Sequence, residues 1–205
     1  MGQGLYTKVA QIVANELQIG LERISCTSTR TDKVPNTSPT AASSGTDLNG
    51  MAARDAAQKI KSRLLACAAQ HFDVEIDDVH FTDGLIRVAQ QSLTFTEMVQ
   101  LAYQNRVSLS ATGFYRTPKI HYDRETSQGR PFFYYAYGAA VAEVIIDTLT
   151  GEYKVLQVDI CHDVGHSLNP ALDIGQIEGG FIQGMGWLTT EELVWGDDGR
   201  LQTSN

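Results

Sequence analysis

Apolar residues share one helical face from the start of the chain: Leu5, Val9, Ile12, Val13 and Leu17 recur at offsets 0, 4, 7, 8 and 12. That spacing predicts an amphipathic helix, which Gly20 ends. Residues 24–29 read as a short strand, and then the periodicity lapses. From Asn36 to Gly50 the chain carries hydroxyls, small residues and a proline, with almost no bulky apolar side chain. A long helix follows, marked by Met51, Ala52, Ala56, Ile60, Leu64 and Ala68, with Lys59, Lys61 and Arg63 on its other side. Ser44 and Asp47 have the spacing of a capping box at its start. Residues 79–81 and 85–89 read as a hairpin around Thr82-Asp83-Gly84, and a short helix begins at Thr94. Residues 107–114 read as a strand and 116–131 as a long irregular loop. Residues 132–147 and 153–163 then form two long strands around Thr148-Leu149-Thr150-Gly151. A helix over 177–188 and a hairpin of 191–194 with 201–203 complete an α+β pattern, with mixed sheets, packed helices and no internal repeat.

Composition narrows the function classes. The 205 residues, 42% hydrophobic and 20% charged, are enough to bury a substantial core. A net charge of −8 without a basic cluster argues against a nucleic-acid surface. No window is long and apolar enough to span a membrane. Met1-Gly2-Gln3-Gly4 opens straight into the first helix pattern, without a secretory leader. Cys26, Cys67 and Cys161 are widely spaced and odd in number, which predicts buried free thiols in a reducing compartment and a cytoplasmic protein.

Two stretches carry candidate chemistry. The loop over 36–50 runs into a helix N-terminus, where unpaired backbone N–H groups and a partial positive charge suit an anionic ligand. Ala41 and Ala42 would let such a ligand approach the backbone; the alternative is an ordinary polar linker with a capped helix. The second stretch, 173–186, places five glycines among Gln176 and Gln183. Those glycines permit either close helix packing or a ligand against the backbone, with the amides facing a heterocyclic edge. His162 and His166 flank Asp163 at a four-residue spacing, but Gly165 breaks the strand and no third metal ligand is evident.

Together these stretches resemble the molybdenum-cofactor domain of the xanthine dehydrogenase and aldehyde oxidase family, over nearly the whole chain. Met1-Gly2-Gln3-Gly4 is similar to the family's glycine–glutamine loop, and residues 35–47 resemble the loop that passes beside the metal. Residues 108–115 and 137–147 look like its central strands. Asp163-Val164-Gly165, Ser167-Leu168-Asn169-Pro170 and residues 173–184 resemble the second cofactor-binding segment. The wording over 36–43 and 108–118 is closest to the xanthine dehydrogenase branch.

The resemblance implies a molybdenum–molybdopterin cofactor held without protein ligands to the metal. Gln3 would hydrogen-bond its pterin-dithiolene end. Ala42, with Ala41 beside it, would lie next to the molybdenum. Thr40 and Ser43 would bind the pterin or its phosphate, and Gln176 would contact the pterin from the other side. The implied reaction is purine hydroxylation, hypoxanthine to xanthine to urate, with water as the oxygen source. Electrons would pass to iron–sulfur clusters, FAD and NAD in a partner subunit or domain. The family's catalytic glutamate is expected beyond Asn205 and its substrate-clamping residues upstream of Met1, so residues 1–205 read as a partial domain cut at both ends. Implied partners are the remainder of the molybdenum domain, the iron–sulfur and flavin part, and a second copy of the full enzyme; neither nucleic acid nor membrane is expected. An aldehyde-oxidising relative and a non-catalytic assembly remnant are the competing readings, with a generic phosphate-binding domain behind them.

Overall fold

The computed structural model describes residues 3–30, 32, 40–41 and 43–203. Contacts divide the chain into two compact units, Met1–Phe133 and Tyr134–Asn205.

In the first unit, helix α1 (Leu5–Leu17) forms where the spacing predicts it and buries Ala10, Ala14 and Leu17. Gln18, in a left-handed conformation at φ 54°, ends it before Gly20 is reached. Helix α2 (Gly45–Phe72) follows. Its capping box does not form: the Ser44 hydroxyl turns back and donates to the Ala41 carbonyl at 2.9 Å. The two helices run parallel, because their contacts advance together. Leu5 lies beside Gly45, Ile12 beside Gly50, and Glu16 beside Arg54. A Cβ at buried Gly50 would come within 2.5 Å of Ile12 Cδ1, so the glycine sets how closely the helices approach. Lys61 does not share a side with Lys59 and Arg63; its ammonium crosses to α1 and donates to the Glu16 carbonyl at 2.8 Å.

Strands β1 (Val79–Thr82), β2 (Leu85–Val88) and β3 (Gln91–Thr94) form an antiparallel meander. Asp83 and Gly84 join the first two at φ 50° and 77°, the positive-φ pair that a two-residue hairpin requires. Strand β3 is not legible in the sequence, because Leu93 is its single bulky apolar residue. Helix α3 (Phe95–Gln104) starts from a complete capping box: Thr94 Oγ1 accepts the Glu97 N–H and Glu97 Oε2 accepts the Thr94 N–H. The core gathers Leu64, Cys67 and Ala68 of α2, Val79, Ile86 and Val88 of the sheet, and Met98 and Ala102 of α3. Each of its large side chains contributes about 1.5–3 kcal/mol by leaving water.

Residues 107–116 alternate between half-buried and exposed, as a strand should, yet enter no ladder among the described residues. Side chains of α2 hold this segment instead. Arg63 donates to the carbonyls of Ser108 (3.1 Å) and Ser110 (2.8 Å), and Lys59 to that of Thr112 (3.1 Å). Asp55 accepts the Phe114 N–H at 2.9 Å. Residues 24–29 are likewise extended without forming a strand. The expected irregular loop contains a small hairpin, β4 (His121–Asp123) with β5 (Gln128–Arg130), whose turn is tied by Asp123 to Glu125 N and Thr126 Oγ1.

In the second unit, β6 (Gly138–Ile146) pairs antiparallel with β7 (Tyr153–His162), with a register shift at Glu143/Val144. Helix α4 (Pro170–Thr189) starts well before the expected residue 177, because Asn169 Oδ1 accepts the Leu172 N–H and Pro170 fits the first turn. The last hairpin reduces to a bridge between Trp195 and Leu201. No described residue of this unit is buried. Cys161 is therefore exposed on β7, and Cys26 is exposed in its extended segment; Cys67 alone of the three is buried as expected. Among the described residues, no helix is long and apolar enough to cross a membrane.

Candidate cofactor-binding site

Because α1 and α2 run parallel, their N-termini open at the same end of the first unit. Gly4 is the N-cap of α1, in a left-handed conformation (φ 68°, ψ 18°) that glycine adopts without cost. Neither Gly4 nor Ser44 caps its helix with a side chain. Two positive dipole ends therefore add at one place, and at neither does the cap residue's own side chain take up a first-turn N–H. Gly45 sits buried between them. A Cβ there would fall 2.8 Å from Thr40 Cγ2 and 2.9 Å from Leu5 Cδ2, so the missing side chain draws the loop and the start of α1 together.

Four of the sequence-derived residues gather at this end: Gln3 immediately precedes Gly4, and Thr40, Ala41 and Ser43 lead into α2. Gln3 and Thr40 are half-buried, while Ala41 and Ser43 are exposed. Ser43 is held at φ 55°, a backbone that side chains other than glycine adopt at a cost and that concentrates at ligand sites. Ala42 lies outside the described residues. Gln176 belongs to the second unit, exposed on the first half of α4. A Cβ added at Gly175, Gly179, Gly180 or Gly184 would meet nothing within 4 Å, so those glycines are not explained by close helix packing. The amide of Gln176 and the bare backbone beside it are open.

Three features of these regions escaped the sequence reading. The parallel arrangement follows from tertiary contacts alone. Gly45 had a signal, a glycine at the first position of the helix, but nothing showed what it faced. Asn169-Pro170 was an N-cap signal that places Gln176 a turn and a half inside a helix.

The donors of the first unit, backbone N–H groups and hydroxyls at the paired N-termini with the Gln3 amide beside them, suit an anion with a polar end; in the second unit, Gln176 presents an exposed amide of its own. The family of molybdopterin cofactor-binding domains matches this chain over residues 1–205. The chain belongs to that family. Xanthine dehydrogenase of Oryza sativa subsp. japonica is 49% identical over 97% of this chain and 13% of its own length. Xanthine dehydrogenase/oxidase of Gallus gallus is 46% identical over 99% of this chain and 14% of its own length. The chain thus spans a small part of these relatives. Among solved structures, the Cu,Mo-CO dehydrogenase in its carbon monoxide reduced state aligns with a TM-score of 0.74 at 26% identity, over 98% of this chain and 25% of that one. Quinoline 2-oxidoreductase from Pseudomonas putida 86 aligns with a TM-score of 0.74 at 25% identity, over 100% of this chain and 26% of that one.

Proposed function

We propose that residues 1–205 are part of a larger molybdopterin-binding domain in a molybdenum hydroxylase that oxidises purines, hypoxanthine to xanthine and xanthine to urate. The observation that carries the cofactor reading is the convergence of two parallel helix N-termini, neither with a side-chain cap, around buried Gly45. The purine assignment is supported by the xanthine dehydrogenases at 46–49% identity, against 25–26% for the carbon monoxide and quinoline enzymes.

When bound, the cofactor supplies the two-electron redox chemistry of the hydroxylation. This chain's residues bind and orient it. The Gln3 amide hydrogen-bonds the pterin-dithiolene end. Thr40 and Ser43, with the N–H groups opening α2, hold the pterin or its phosphate, and Gln176 contacts the pterin through its amide. Ala41 and Ala42 keep the backbone narrow beside the molybdenum. The glutamate base, the iron–sulfur clusters, FAD and the NAD site belong to parts of the polypeptide or assembly outside these residues, and the enzyme acts as a dimer in the cytoplasm.

Molybdenum and pterin content, measured on the full reading frame and on the 205-residue chain, tests this reading. The full protein is expected to hold both and to form urate from xanthine, while the chain alone forms none. Thr40→Glu sets a carboxylate against the anion; it is expected to lower molybdenum occupancy by about tenfold or more while leaving the far-ultraviolet circular dichroism unchanged. A full protein that binds neither metal nor pterin would give the fold to another role, with the non-catalytic assembly module first.

A further inference from the structure

The segment 107–116 is extended like a strand, with one of its two edges in use. In an extended chain the N–H and C=O of one residue point to the same edge, and successive residues alternate between edges. Ser108, Ser110, Thr112 and Phe114 turn theirs to the charged row of α2, where Arg63, Lys59 and Asp55 meet them. The match is metric: four helical residues rise about 6 Å, close to the roughly 6.7 Å spanned by two strand residues. The row therefore keeps step with alternate residues of the segment, in the antiparallel sense.

Leu109, Ala111 and Gly113 turn their backbone groups to the opposite edge, and among the described residues these make no hydrogen bond. Val107 and Leu109 pack against the core, and the missing Cβ of Gly113 points at the Ala52 carbonyl and the Ala56 N of α2. The helix is thus the floor beneath the segment. A helix is about 10–12 Å wide and strands lie about 4.8 Å apart, so one strand leaves room on that floor for another.

We propose that the open edge formed by Leu109, Ala111 and Gly113 takes up an extended strand from polypeptide outside these 205 residues, completing a two-strand layer over α2. Backbone ladder bonds would supply the affinity, as in strand addition generally. Small or apolar side chains at alternate positions would face the alanine floor of Ala52 and Ala56. A second copy of this chain does not fit the edge, because it would bring its own α2 within a strand spacing of the first, whereas packed helices need about 8–10 Å between axes. Two chains of net charge −8 would also repel. Relatives that extend this matched region roughly sevenfold have ample chain to supply the strand.

The inference rests on the reading of residues 1–205 as part of a larger domain, and residue-resolved amide hydrogen exchange on the chain alone and on the full reading frame tests it. The amides of Leu109, Ala111 and Gly113 are expected to exchange freely in the chain and to slow by at least about 100-fold in the full protein. The Phe114 amide, bonded to Asp55, serves as the internal control and is expected to be protected in both. Free exchange at the three amides in a full protein that holds molybdenum would overturn the proposal while leaving the cofactor reading intact. Protection already present in the 205-residue chain would overturn it as well. Protection gained in a full protein that holds no molybdenum would support the strand and sink the cofactor reading.

Discussion

At the scale of single residues, glycines in this chain do opposite things, and the surroundings decide which. A Cβ at Gly113 would overlap the Ala52 carbonyl and lie 2.8 Å from the Ala56 N, both of them backbone atoms that cannot rotate away. Gly113→Ala is therefore expected to lift the segment off α2 and to cost about 1–3 kcal/mol, read as a lowered urea midpoint at unchanged slope. Gly179 in α4 faces open space and has a helical backbone. Gly179→Ala is expected to stabilise α4 by about 0.5–1 kcal/mol. If the cofactor reaches that bare face, the same change is expected to reduce molybdenum content in the full protein; unchanged content would place the cofactor elsewhere on the helix. The sequence shows five glycines near Gln176 and Gln183, but neither use can be told from the letters.

At the scale of elements, the pairing of α1 with α2 is fastened by one carboxylate. Burial raises the pKa of Glu16, the largest single influence. The Arg54 hydrogen bond, the Lys61 charge and the Gln58 hydrogen bond together outweigh it, so the carboxyl ends below its ordinary 4.5. A depressed folded-state pKa gives stability that is present above the unfolded value and lost as pH falls through the folded one. Unfolding midpoints are thus expected to fall as pH drops below about 4.5. Glu16→Gln should flatten that part of the profile, and a variant that keeps the full acid slope would remove Glu16 from the account. Asp55, Glu97 and Asp123 are lowered too, by hydrogen bonds led respectively by the Lys59 ammonium, the Thr94 N–H and the Thr126 hydroxyl. These add to the acid limb without being part of the clasp, so the comparison is between slopes and not between presence and absence.

At the scale of the whole molecule, the two units differ in kind. Met1–Phe133 has a core in which Leu64, Ile86 and Met98 are fully buried. Tyr134–Asn205 has a long hairpin and a long helix but buries none of its described residues, and leaves Val141, Ile146, Ile182, Trp187 and Leu188 each more than half exposed. So much uncovered apolar surface favours association. The chain on its own is expected to elute from size exclusion above its 22.5 kDa mass with light scattering that rises with concentration. The full reading frame should not. A monodisperse, cooperatively unfolding monomer of the chain would count against its being part of a larger domain.

What the sequence determines here is mostly local. The apolar face of α1, the Asp83-Gly84 turn and the alternation of Gln157 and Asp159 with Leu156, Val158 and Ile160 in β7 are written in neighbouring residues, because helix and strand periods and turn conformations depend on near contacts. Motif wording also determines the family, and with it the residues Gln3, Thr40, Ser43 and Gln176 as cofactor candidates. Tertiary structure decides the rest. The sequence pattern of residues 107–114 reads as a strand, but α2 side chains are its partners, since a ladder needs a second strand that no local pattern can name. Ser44 has the letters of a cap and bonds Ala41 instead. The parallel packing that brings two helix N-termini to one place depends on Gly45 and Gly50 meeting Leu5 and Ile12, contacts between residues some forty positions apart. Burial, too, is a property of what covers a residue: Cys67 of α2 packs in the core with Leu64 and Ala68, whereas Cys161 on β7 is exposed.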